Sequence, residues 1–279
     1  MSSTSNSISR LLFSLNLNGA SAVSFRNRLV NGNFAVNQRS ASDAPTVYEP
    51  GEFIRDRWRA GLAGCTAACK AGPNGDVTIH IGAGSILQVV EGALYLPEGG
   101  TYCLSWQGDA VGRFVAVQPS SFIAGPISSQ KLNSGQDIAV EFSLPRDAAP
   151  VSLGLAQLEP GATPTVYERR DDELRRCQRY FNRLLAPPLR GVVGGNVAAR
   201  CGMPLSVEMR AEPEITLLGV LKIFDGEAIA TAVSVMTDYS TRSCLEIDLQ
   251  LSSPLAFGRP AVVLSKQDGV LDLNAEMFF

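Results

Sequence analysis

One histidine and six cysteines set the first limits on chemistry. His80 stands alone, so a multi-histidine metal site is excluded and a Ser-His-Asp triad would depend on that one side chain. It falls on the polar face of a strand pattern. A solvated surface histidine is the ordinary reading there, and a pH-responsive interface contact the sharper one. Cys65 and Cys69 have C-x3-C spacing without further cysteine or histidine nearby, which fits two free thiols better than zinc. Cys103, Cys177, Cys201 and Cys244 are scattered, so no disulfide framework is expected, and synthesis in a reducing cytosol is. Cleaving a glycosidic bond needs two carboxylates facing each other across the sugar. Asp56, Asp76, Glu91, Asp109, Asp137 and Glu141 are available, but no spacing singles out a pair. The stretch from Gly191 to Gly195 lacks the Lys-Ser/Thr of a phosphate loop and reads as a turn. No catalytic residue, metal or cofactor is therefore expected.

Aromatic side chains offer binding rather than reaction. Tyr102, Leu104 and Trp106 alternate with Thr101, Cys103, Ser105 and Gln107. An apolar face on a strand is usually core. On a concave sheet, however, Tyr102 and Trp106 would form a platform for a sugar ring, with Ser105 and Gln107 able to hydrogen-bond from the opposite face. Tyr102, Trp106 and Gln107 are thus the candidate carbohydrate-binding residues. Trp58, in Asp56-Arg57-Trp58, reads first as a core plug with Asp56 holding a turn, and second as a stacking residue. The arginines between 169 and 183 are interleaved with Glu168 and the acids at 171–173. That pattern favours a solvated or intersubunit salt-bridged helix over an anionic partner.

The elements that would position these residues are mostly strands. Val77, Ile79 and Ile81, and again Ile138, Val140, Phe142 and Leu144, repeat with period two. Turn signals at 72–75, 97–100 and 133–135 separate such runs. Ahead of them, Ile8, Leu11, Leu12 and Leu15 form one helical stripe ending at Asn18-Gly19, too short to stand alone in water. A second helix is expected from Asp171-Asp172, with Leu174, Cys177, Gln178 and Phe181 on one face and Pro187-Pro188 as its stop. Beyond it, strands are expected at 205–210, 215–224, 228–235, 244–251, 261–264 and 270–279, with Asp225-Gly226 as a hairpin turn. The alternation of Leu271, Leu273, Ala275, Met277 and Phe279 predicts an apolar terminal strand. Its edge would need cover from sister copies or from its own sandwich. The fold class is mostly β. It comprises an N-terminal docking helix and linker (1–26), an antiparallel jelly-roll-like β-sandwich (27–168), a linking helix (169–188) and a small C-terminal β domain for oligomerisation or receptor binding (189–279).

Composition agrees with this organisation. The 279 residues carry a net charge of −3 and 45% hydrophobic residues. That excludes a basic nucleic-acid binder and a wholly disordered chain. No run of about 18 apolar residues is present, so no membrane insertion is expected.

Three blocks together resemble a known group. The first is Asn27-Arg28-Leu29-Val30-Asn31-Gly32-Asn33-Phe34 with Gln38-Arg39 and Arg55-Asp56-Arg57-Trp58. The second runs from Gly154 to Glu168 and the third from Glu173 to Phe181. In this order they resemble phage virion proteins, namely tail-fibre and receptor-binding spike subunits, which also occur in prophages and gene-transfer agents. The opening block is similar to the first strand of jelly-roll carbohydrate-binding modules, and Met203 to Arg210 with Pro213 resembles the start of the family's C-terminal β domain. The resemblance implies a non-enzymatic, trimeric adhesin on the particle surface, assembled in the bacterial cytoplasm. It would dock on other tail or capsid proteins through its N-terminal segment and hold host surface polysaccharide. A purely structural adaptor and a polysaccharide-degrading tailspike are the alternatives.

Overall fold

The computed structural model describes residues 16–17, 20–21, 25–146, 150–264 and 269–277, with side chains from residue 25 onward. The expected helix through Ile8, Leu11, Leu12 and Leu15 lies outside the described residues. Asn16–Leu17 (β1) pairs antiparallel with Ala20–Ser21 (β2), a short ladder where a helix end and a linker were expected. The chain is mostly β and divides into two compact units, Met1–Glu173 with Met277–Phe279, and Leu174–Glu276. Among the described residues no helix is long and apolar enough to cross a membrane.

In the first unit the strands are β3 (Thr46–Tyr48), β4 (Phe53–Arg55), β5 (Trp58–Ala71), β6 (Val77–Val90), β7 (Tyr102–Gln107), β8 (Val111–Val115), β9 (Ile123–Ala124), β10 (Ile127–Ser128), β11 (Ile138–Ser143) and β12 (Val151–Pro160); the short helix α1 (Gly92–Tyr95) follows β6. All pair antiparallel, in the order β10-β7-β12-β6-β11-β8-β9, with β5 along the remaining side of β6. The first half of β6 pairs with β12 and the second half with β11. Although two strands, β12 and β6, separate β7 from β11 in that order, the rings of Trp106 and Phe142 meet at 5.0 Å. The sheet therefore folds back on itself into two layers. The change of layer comes where the β5–β6 register slips, and there Gly64 and Gly84 have φ of +74° and +72°. A β-carbon on Gly84 would lie 2.1 Å from the Gly64 carbonyl oxygen, so no larger residue fits the bend. The successive strands β7 and β8, and β11 and β12, occupy opposite layers, which is jelly-roll winding. Trp58, Phe34, Phe142, Phe114 and Ile86 are buried between the layers.

The first two sequence blocks meet in this unit, together with Glu173, the first residue of the third. Asn27 donates from Nδ2 to the Ala156 carbonyl (3.1 Å) and accepts at Oδ1 from the Leu158 amide (3.1 Å). Asn31 donates from Nδ2 to the Asp56 carbonyl, and its own carbonyl accepts from Trp58 Nε1, both at 2.9 Å. The Asn31 amide donates to Glu173 Oε2 at 2.7 Å, while the Glu168 carboxylate takes the amides of Phe25 and Asn27, both at 2.8 Å. The motif residues thus satisfy buried backbone groups where the opening and closing segments of the unit meet.

The second unit departs further from expectation. Helix α2 spans only Glu173–Gln178. Phe181 does not continue it but opens β13 (Phe181–Leu185), because pairing with β21 (Val270–Asn274) outweighs local helix preference. The predicted strand at 205–210 is irregular, since β15 (Ala198–Pro204) ends at a proline. The predicted run at 215–224 is split at Gly219 into β16 (Glu214–Leu218) and β17 (Leu221–Phe224), which join different sheets. With β14 (Arg190–Gly195), β18 (Ile229–Asp238), β19 (Cys244–Leu251) and β20 (Pro260–Val263), a closed barrel forms in the order β14-β15-β19-β18-β17-β20. Beside it lies the three-stranded sheet β13-β21-β16. The strand expected over 270–279 ends at Asn274, and it is central, flanked on both sides by its own chain. Its Leu271 and Leu273 join one core with Ile223, Ile247 and Leu249 of the barrel.

Candidate functional site

Residues from β7, the β7–β8 turn, the segment before β10, β12 and the stretch after it surround a recess of about 790 Å³ in the first unit. Trp106, Gln107, Asp109, Gln157, Thr165 and Arg169 line it. Trp106 is half-buried, and its Nε1 donates to the Ala110 carbonyl at 2.9 Å. The ring tip lies against Gly112 and Gly125; a β-carbon on Gly125 would sit 2.5 Å from it. Trp106 therefore wedges the layers apart and shows the recess only part of its ring. Gln107 is exposed at the strand end.

The polar lining is held in place by hydrogen bonds. Asp109 Oδ1 accepts from the Ser152 amide at 2.7 Å and its hydroxyl at 2.8 Å, which holds its carboxyl below the usual carboxylate range. Gln157 donates to Glu159 Oε1 (2.8 Å) and accepts from the Glu168 amide (2.7 Å). The Thr165 hydroxyl donates to Glu159 Oε2 at 2.6 Å. Arg169 grips both oxygens of Asp76 at 2.7 and 2.6 Å, and that guanidinium lowers the Asp76 pKa. Such fixed groups can present directional donors and acceptors to hydroxyl-rich ligands at little entropic cost.

Of the three residues singled out from sequence, Trp106 and Gln107 come together here. Tyr102 does not: its side chain is 0% exposed, so it forms no open platform with Trp106. Burial also raises its phenol pKa. Both faces of β7 are covered at its start, where Cys103 and Leu104 are buried as well. Gln157, Thr165 and Arg169 were not anticipated as lining. The first two belong to the block from Gly154 to Glu168, which carries the resemblance, so their presence in it was the available signal.

Trp58 is a core residue, and Asp56 holds a turn through the Gln38 amide (3.1 Å) and Nε2 (2.6 Å). Asp137 accepts from the Gly92 amide at 2.6 Å, ahead of α1. His80 is half-buried on β6, between Ala68 and Ser152 of its neighbours. All six cysteines are free thiols. Burial pushes Cys65 up to about 12, with Cys69 adding to the shift. Among the described residues no group of three or more His, Cys, Asp or Glu could hold a metal ion. Among the arginines after residue 168, Arg170 pairs with Glu168 at 2.9 Å and Arg183 with Asp272 at 2.6 Å.

No protein-family profile and no curated protein matches the chain. Among solved structures it is similar to a Paenibacillus sp. cycloisomaltooligosaccharide glucanotransferase complexed with cycloisomaltoheptaose. The identity is 8% and the TM-score 0.24, over 87% of this chain and 46% of that one. The chain thus spans less than half of that protein's length, and a likeness at this TM-score carries no argument about activity.

Proposed function

We propose that the chain is a non-catalytic fibre or spike subunit of a phage or gene-transfer particle that binds host cell-surface polysaccharide. The observation that carries this reading is the recess beside Trp106. It combines an aromatic edge with amide, hydroxyl and guanidinium groups whose directions are fixed, on a β-sandwich that contains the first two of the blocks resembling virion proteins. Its lining holds a single carboxylate, Asp109, already engaged by Ser152, whereas glycoside hydrolysis uses two. Recognition is therefore favoured over cleavage. A shallow site binds weakly, and linking copies raises avidity by about 10²–10⁴ without new contacts. Exposed Ile229, Val233 and Met236 along β18 supply apolar surface for contact between copies, for which a trimer is the expected form.

That same apolar row favours a second reading, an adaptor that joins another fibre to the tail or capsid and never touches the host. Binding of the purified full-length protein to whole host cells and to their isolated polysaccharide, alongside its native mass, separates the two. The adhesin binds, and Gln107→Ala weakens the binding severalfold. An oligomer of confirmed mass that binds neither cells nor polysaccharide is the adaptor.

A further inference from the structure

The charge of the recess beside Trp106 follows from the partners of its lining groups. The turn that carries Asp109 is clamped to Ser152. The Ser152 amide and hydroxyl both donate to Asp109 Oδ1, and the Ser152 carbonyl accepts the amides of Asp109 (3.1 Å) and Ala110 (3.2 Å). Asp109 Oδ2 has no hydrogen-bond partner among the described residues, and the side chain is exposed. Arg169 is the cation of the lining, and Asp76 matches its charge through both oxygens. His80, opposite Ser152 on β6, acts on Asp109 from outside the lining. Behind Gln157 and Thr165 stands a second carboxylate. Glu159 is 0% exposed and accepts from Gln157 Nε2, the Thr165 amide (2.7 Å) and the Thr165 hydroxyl. Three donors meet it, as suits an ionised carboxylate, and no cation pairs with it among the described residues. Two carboxylates thus bear on the recess without a matching positive charge. Its walls exclude part of the solvent, which strengthens the negative potential.

We infer that the recess takes an amino sugar, a hexosamine unit whose nitrogen is unacetylated and protonated. The ammonium group donates to the open Oδ2 of Asp109. The ring carbons lie against the exposed part of Trp106, whose N–H is turned away to the Ala110 carbonyl. Ser105 and Gln107 line the recess with side chains that have no partner among the described residues, and they meet the sugar hydroxyls. This assignment rests on the polysaccharide-binding reading and names the sugar that the same site selects. An N-acetylated unit lacks the charge, and a uronic acid brings one of the wrong sign, so both are disfavoured.

The test is calorimetric titration of the full-length protein with triglucosamine, tri-N-acetylglucosamine and trilysine, at mildly acid pH where the sugar amines are charged. Asp109 is still ionised there, because the Ser152 donors hold its carboxyl below the usual carboxylate range. Triglucosamine should bind roughly tenfold or more tightly than its N-acetylated counterpart, and more weakly as salt rises. Trilysine should bind more weakly than triglucosamine, since it has no sugar ring to set against Trp106. Asp109→Asn keeps an oxygen for the Ser152 donors and removes the charge, at an exposed position where the fold is not at risk. It should bring the two trisaccharides to within roughly twofold of each other. Equal affinity for the two trisaccharides, no binding of either, trilysine as tight as triglucosamine, or a preference unmoved by Asp109→Asn overturns the inference. If host polysaccharide still binds and still depends on Gln107 in that case, the amino-sugar assignment alone has failed. If host polysaccharide does not bind either, the adhesin reading has failed with it.

Discussion

Asn31 shows how much a single polar side chain can hold. Its amide group donates to two carbonyls and accepts the Val36 amide at 3.0 Å, and it is 0% exposed. Asn31→Ala strands these buried partners and should cost about 2–4 kcal/mol; urea unfolding of the first unit measures it. Asp225 plays the matching part in the β17–β18 hairpin. Its Oδ1 takes the amides of Glu227 (2.9 Å) and Ala228 (2.7 Å), and its Oδ2 takes that of Ala256 (3.2 Å). These backbone donors lower its pKa. A depressed carboxyl stabilises the fold above its unfolded pKa of about 3.9, and that stability is lost as pH falls through the folded value. Asp225→Asn should therefore lower Tm at neutral pH and flatten the acid fall of the second unit, as followed by circular dichroism. The thiols give a third expectation. Burial holds Cys65 and Cys201 up at about 12 and Cys103 at about 11. In native protein at mildly alkaline pH these three should resist iodoacetamide, as peptide mass mapping would show; rapid labelling of Cys65 would contradict its placement.

At the scale of elements, β21 decides the second unit. Leu273→Asp puts an unpaired charge at a side chain that is 0% exposed and should cost more than about 4 kcal/mol. Calorimetry should then show the second unit's transition lost and the first unit's kept. The contrast between legible and illegible elements is physical. β19 and β11 carry clean alternation of branched or aromatic residues with polar ones, and their bounds were readable. β5 was not. Its Ala, Gly and Cys content has weak strand preference, and it forms because β6 lies beside it. Phe181–Leu185 reads as helix locally and becomes strand through a partner far away in sequence. The candidate site divides the same way. Trp106 and Gln107 could be named because they share one strand, whereas Gln157, Thr165 and Arg169 reach the recess only through the folding of the sheet. Tyr102 follows the ordinary reading of an apolar strand face, as core, and not the open platform, which alternation alone cannot distinguish.

For the whole molecule, two compact units with separate cores predict two unfolding transitions in the calorimeter. Closing six strands into a barrel leaves that sheet without an edge, so any contact between copies there must use side chains such as Ile229 and Met236 rather than added strands. Arg183 and Asp272 meet at 2.7 Å from 89 residues apart, the span between a strand made early and the one that completes its sheet. Synthesis order then acts as a checkpoint. Until the residues near 274 have left the ribosome, β13 and β16 have nothing to lie against, and Leu184, Ile215 and Leu217 stay wet. A chain cut short before β21 should therefore be the more readily degraded, its apolar strand faces left open to proteases.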